Sequence, residues 1–449
     1  MRLARLLAKI SLAATVLLVI AATLQSASAT TAPRVQADST SLRDPVARLQ
    51  ARLDAGDITL VHDSVLGYLP AVLRAFNIPT SSQSLVFSRT SLRTDLIAPW
   101  SPRALYFNDD VYVGWVQGSE FLEIAAVHPT TGAVFYTMSQ DATARPQFGR
   151  ESTTCMMCHK SRATGGVPGF LMLSTIADRL GYQIASVYSG TTTDETPIKD
   201  RFGGWYVTGT HGKAGHSGNV YSSKDFHQVD KELYRGQIDL TVESARTDLA
   251  GKFDSSPYLS PNSDIVALMV LVHQTSVHNL ITATHEAARI ALIMHYTPSD
   301  ATALVPLAVS DAGLHTAVER LVRALLFADE AKFDSPIHGT ASFSTDFTQR
   351  GRRDKHGRSL RDFDLDQRLF KYPLSFLIYT EGFDALPNVA KDGVYRRLRA
   401  ILSGDDKSRA FERLSDSDRR AILEILTATK PDFAAGDPHP QRSSDGRQH

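Results

Sequence analysis

The chain has two cysteines among its 449 residues, Cys155 and Cys158. That excludes a disulfide-stapled secreted scaffold, which needs several bridges to compensate for a small core. It equally excludes an all-thiolate zinc centre, because no further thiol exists to complete the tetrahedron. An excess of one charge is also lacking: 48 Lys and Arg face 48 Asp and Glu. A nucleic-acid partner is therefore not expected, since it would need a basic face to neutralise phosphates. There is no internal repeat, which excludes a solenoid or propeller. Beyond residue 29 no run reaches eighteen uninterrupted apolar residues, so no membrane span is expected in the mature chain. Hydrophobic residues make up 43 % of the sequence, enough for one large core or two to three smaller ones.

What is present begins with the leader. "MRLARLLAK" supplies Arg2, Arg5 and Lys9 without an acid, "ISLAATVLLVIAATL" is a short apolar stretch, and "ASA" at 27–29 fits a small-x-small cleavage site. Residues 1–29 read as a signal peptide cut after Ala29, with an uncleaved N-terminal anchor as the alternative. The expected location is outside the cytoplasm, periplasmic or secreted. Losing the three leader cations leaves the mature chain near neutral and slightly acidic.

Both cysteines sit in "TTCMMCHKS", residues 153–161, three positions apart and followed at once by His159. Four readings compete. A zinc knuckle lacks its second ligand pair. A thioredoxin-like redox pair needs a strand-to-helix junction, and no buried strand is evident before the motif. A plain Cys155–Cys158 disulfide stays open. The fourth reading is covalent haem: C-x-x-C-H offers two thiols to the two vinyl groups of one porphyrin edge, while the adjacent imidazole ligates iron from the same helical turn. This last reading fits the residues best.

In Cys155, Cys158 and His159 the chain resembles the c-type cytochromes. The resemblance implies one haem c, thioether links to Cys155 and Cys158, and His159 as the proximal iron ligand. It covers only the motif. More loosely, "PRALYFNDDVYVGWV", "GGWYVTGTHG", "HQTSVHNL" and "SFLIYTEGFDALP" are similar to segments of large exported bacterial proteins with a single such motif, a likeness that brings no activity.

The other axial position is less legible. Small class I cytochromes place a distal Met some tens of residues after the motif. Here Met172 follows His159 by only 13 residues and the next, Met269, by 110. Met172 lies in the apolar run "GFLMLST" and reads as core. Histidines are better placed. "GTHGKAGHSGN" carries His211 and His216 among glycines that let backbone approach a flat cofactor, and His216 is slightly preferred. The apolar segment "NSDIVALMVLVHQTSVHNLITATHEAARIALIMHY" reads as a buried helix capped by Ser263, with Asp264 at its positive end. It carries His273, His278, His285 and His295, with His273 about 140° around the wheel from His278. His211, His216, His273 and His278 are thus the distal candidates. Arg289 stands where a zinc protease H-E-x-x-H would need its second His. Lys160 and Arg162 are candidates for pairing with propionates.

The expected fold is mainly α with a small antiparallel β-sheet (α+β), centred on the haem and unlike a simple class I cytochrome c. The expected divisions are 30–145 for N-terminal helices plus the sheet, 146–260 for a loop-rich haem-attachment region, 261–432 for a helical region and 433–449 for a disordered tail. Strands are expected at "ALYF", "VYVGWV", "LEIAAV" and "VFYTM", with "HPTTG" as a hairpin turn. Phe170, Trp205, Tyr206 and Tyr221 are expected against the cofactor. "DQRLFKYPLSFLIYTEGFDAL" is expected to be a helix disturbed at Pro373, and Ser415 with Asp418 a capping box. Three functions follow: electron transfer to a redox partner protein or small molecule; a haem oxidoreductase of peroxidase type; or a non-catalytic exported module whose Cys155 and Cys158 form a disulfide.

Overall fold

The computed structural model describes residues 44–184, 190–213, 215–222, 246–294 and 312–435. The signal peptide expected at residues 1–29, His295 and the residues beyond 435 lie outside the described residues.

The first helix, α1 (Pro45–Ala55), starts where Asp44 accepts the amides of Val46 and Ala47 and stops at Gly56 in the left-handed region. Its Val46, Leu49 and Leu53 are buried, an i, i+3, i+7 stripe. A short α2 (Leu69–Ala75) follows. The chain then switches to a period of two. Strands β1 (Ser84–Val86), β2 (Arg103–Phe107), β3 (Val111–Trp115), β4 (Phe121–His128), β5 (Gly132–Ser139) and β6 (Phe148–Glu151) form an antiparallel meander. After the two-stranded ribbon of β7 (Leu173–Ser174) and β8 (Gly190–Thr191), β9 (Trp205–Tyr206) returns to pair with β1. The sheet therefore has seven strands, in the order β6-β5-β4-β3-β2-β1-β9. It is larger than the four apolar runs suggested, because short edge strands such as Phe148–Glu151 and Trp205–Tyr206 carry too few residues for a periodic signal.

Both faces of the sheet are buried, and alternation assigns the side chains. Tyr106, Val113, Leu122, Ile124, Val134 and Tyr136 pack with α1 and α2 into one core. Phe107, Tyr112, Val127, Ala133 and Phe135 face a second core, built with the C-terminal helices. The axis of that second layer is α4 (Ile265–Met294), which follows the motif helix α3 (Thr153–His159) in the chain. Helix α4 is long and apolar enough to cross a membrane by composition, yet 78 % of its most apolar window is buried inside the protein. Its cap is Asp264, not Ser263. The Asp264 carboxylate accepts Val266 N and Ala267 N on one oxygen and Thr340 N and Ala341 N on the other. Ser263 is drawn off instead: its hydroxyl donates to Tyr206 O and accepts from Leu85 N.

The remaining helices among the described residues are α5 (Ala312–Leu325), α6 (Phe343–Gln349), α7 (Glu381–Asp384), α8 (Asn388–Ser403), α9 (Asp416–Thr429) and α10 (Pro431–Ala435). The Ser415–Asp418 capping box is present on α9. The helix expected across Pro373 is not formed. Asp364 turns the chain by accepting Asp366 N and Gln367 N, Leu365 takes φ 62°, and helical backbone resumes only in the 3-10 turn Phe376–Tyr379. The expected tail boundary at 433 also moves, because Phe433 is buried against Tyr395 within α10.

Candidate functional site

The motif helix α3 leaves the sheet edge directly after β6, and at seven residues it is barely two turns long. It places Cys155 and Cys158 three residues apart on one face. The sulfurs are unbridged, with Cys155 half-buried and Cys158 exposed. Burial, then the carboxylates of Glu151 and Glu123, push the Cys155 thiol up to about 11. A dithiol redox centre works through a depressed thiol pKa, so this environment disfavours the thioredoxin-like reading.

Cys155, Cys158 and His159 all line one cavity of 540 Å³, within the range of about 300–1,000 Å³ usual for cofactor and ligand pockets. Its floor is the sheet face carrying Leu105, Tyr112, Ala125 and Phe135; its walls are Phe170 to Leu173, Trp205, and Leu271 and Thr275 of α4. The lining is mainly apolar. Its principal charged feature is Arg103 against Glu123 at 2.6 Å, both largely buried. Gly114 between them makes this possible: a Cβ there would lie 2.5 Å from the Arg103 guanidinium. Glu123 also accepts Leu92 N, which ties the 88–94 segment at the rim to the sheet.

His159 is the most constrained member of the motif. Its ring rests on Phe135, centroids 4.4 Å apart. Its Nδ1 lies 2.9 Å from Gly169 O; a carbonyl only accepts, so Nδ1 carries the proton and Nε2 keeps its lone pair. Burial lowers the His159 pKa, which favours the neutral ring. The segment returns to His159 through a tight turn in which Thr164 Oγ1 accepts Ser161 N and donates to Val167 O. Gly169 N closes the loop by donating to His159 O at 2.8 Å.

The four histidines expected on the distal side are elsewhere. His273 Nδ1 meets Asp194 at 2.6 Å and Nε2 meets Ser375 Oγ at 2.7 Å, so both ring nitrogens are engaged. That Ser–His–Asp array has the connectivity of a hydrolytic triad, but Ser375 and His273 are fully buried and no substrate carbonyl can reach them. His278 donates from Nε2 to Asp109 O and lies beside Phe170, one layer behind the cavity wall. His211 and His216 are buried against each other, with Nδ1 of His216 accepting Gly218 N. None of the four lines the cavity, whereas Met172, read from sequence as core, does. Of the aromatics, Phe170 and Trp205 line it. Tyr206 and Tyr221 instead pack on Phe87 on the other side of the sheet. Lys160 and Arg162 are exposed and outside it.

Sequence reasoning missed Arg103, Glu123 and Asn279. The strand pattern carried a faint signal for the first two, charged residues at inward positions of otherwise buried strands. Comparison with family models, with curated proteins and with solved structures returned no match.

Proposed function

We propose that this chain is an exported electron-transfer protein carrying one haem c, linked through Cys155 and Cys158 and ligated by His159. The observation that supports this most strongly is the convergence of all three motif residues on a single apolar cavity of cofactor size. A haem bound there supplies a one-electron couple. The chain's own residues bind, orient and shield. Cys155 and Cys158 tether from one helical turn, and His159 presents Nε2 because its Nδ1 is held. Phe135, Phe170, Trp205 and Leu271 exclude water.

Met172 would be the residue to hold the iron together with His159 in this reading, since it is a buried thioether in the wall of the same cavity. Such a His–Met pair would raise the potential relative to bis-histidine ligation and would leave no coordination position open. Electron transfer is favoured over peroxidase chemistry on that ground. Among the described cavity-lining residues no histidine other than His159 is present to act as a distal proton shuttle.

The test is a pyridine haemochrome spectrum of the chain matured in a periplasm with the haem-attachment machinery. A bis-thioether spectrum that survives acid-acetone extraction, and is lost in the Cys155→Ser/Cys158→Ser variant, supports the proposal. Haem that extracts completely, or none at all, rejects it.

A further inference from the structure

Asn279 stands on α4 two turns after Leu271 and one after Thr275, the residues of that helix that line the cavity. Its side-chain amide makes two hydrogen bonds to one peptide segment. Oδ1 accepts Phe170 N at 2.8 Å and Nδ2 donates to Phe170 O at 2.8 Å. This pattern is that of a strand partner supplied by a side chain, and it fixes the Phe170 backbone in both directions. The preceding residue is Gly169, whose carbonyl takes the His159 Nδ1 proton and whose amide donates to His159 O. A Cβ on Gly169 would lie 2.4 Å from Asn279 Oδ1 and 3.0 Å from Thr164 Cβ. The contact therefore leaves no room for a side chain.

We infer that Asn279 is the positioning residue for His159: it anchors the 169–170 segment to α4, and that segment orients the imidazole. The inference rests on the haem reading for its functional meaning, but the anchoring is testable without haem. Asn279 touches neither His159 nor the cavity contents, so it acts through Gly169. A hydrogen bond from the distal ring nitrogen to a carbonyl raises ligand basicity, and losing such support costs roughly 10–100-fold in metal affinity. Protons compete with iron for Nε2. A tenfold weaker bond therefore moves the acid midpoint for His159 release up by about one pH unit.

The experiment compares the haem-loaded wild type, Asn279→Ala and Gly169→Ala. Covalent haem content is measured first by pyridine haemochrome, then the acid titration of the low-spin spectrum and the midpoint potential. The expected result is unchanged haem content, an acid midpoint raised by about one to two pH units, and a higher potential, because a less basic imidazole stabilises ferric iron less. Gly169→Ala is expected to do the same. Its effect should shrink in the Asn279→Ala background, where the nearer of the two groups it meets is gone and only Thr164 Cβ remains. Haem-loaded Asn279→Ala with an unmoved acid midpoint and potential would overturn the inference.

If the wild type carries no haem, the reading of the site fails and the clamp is judged separately. The ring tautomer of His159, read from two-bond 15N–1H couplings, should be Nδ1–H in wild type and mixed in Asn279→Ala. An unchanged tautomer there overturns the inference as well.

Discussion

Met172 and His216 make opposite predictions that one spectrum separates. Met172→Ala, matured with haem, is expected to turn a low-spin spectrum high-spin, abolish the sulfur-to-iron charge-transfer band and let carbon monoxide bind the reduced protein readily. His216→Ala is expected to change none of these; the reverse pattern would move the distal assignment back to the glycine-rich loop. The sequence pointed to histidines, and the cavity wall carries Met172 instead, for a physical reason. An apolar run such as "GFLMLST" looks alike whether it fills a core or walls a cofactor pocket, because both are dry. The histidines lie away from the cavity for a different reason. Four of them in one apolar segment call for an explanation, but His273 finds Asp194 and Ser375, 79 and 102 positions away, and His278 finds Asp109 O, 169 away. Partners so distant in sequence leave no local trace. Cys155, Cys158 and His159 stood out because they fall within five consecutive residues, and the structure brings all three to one cavity.

Among the elements, α4 organises the molecule. Its N-terminus is where the sheet, the helical layer and the Thr340 segment meet, and Asp264 satisfies amides from two of them. Asp264→Ala removes a helix cap and orphans buried N–H groups, so a loss of about 2–4 kcal/mol is expected in urea unfolding. Asp264→Asn, which keeps the acceptor oxygen, should recover a large part. A loss below that of an exposed cap would show that the Thr340 and Ala341 bonds are not stabilising. The helix itself and its start were legible from an apolar run and an acidic residue at its positive end. The exchange of roles between Ser263 and Asp264 was not, because it depends on Tyr206 and Leu85 competing for the serine hydroxyl. Likewise "DQRLFKYPLSF" has helical periodicity in places. It is overridden by the Asp364 turn and by Pro373, which lacks an amide to donate.

At the scale of the whole molecule, a sheet covered on both faces explains why β3 and β5 are buried along almost their whole length. The same double burial sets the acid response. His278, sealed between the sheet and α4, has its pKa lowered to about 4, chiefly by burial. The unfolded chain takes up that proton near pH 6.5 and the folded chain does not. Stability from this residue is therefore complete above about pH 6.5 and falls by about 1.4 kcal/mol per unit as pH drops towards 4. His278→Gln, able to keep the bond to Asp109 O, should flatten the slope of unfolding free energy against pH in that interval; an unchanged slope would mean that His278 titrates normally in the fold.

The architecture puts the motif helix at the sheet edge and an apolar cavity behind it, and the account stands on what that cavity holds. Intact mass spectrometry of the chain matured in a periplasm tests it most directly. The prediction is a mass equal to the processed polypeptide plus one haem, retained under denaturing acid and reduced to polypeptide alone when Cys155 and Cys158 are both serine. A polypeptide mass two hydrogens short with no haem would instead reveal a Cys155–Cys158 disulfide and contradict the account.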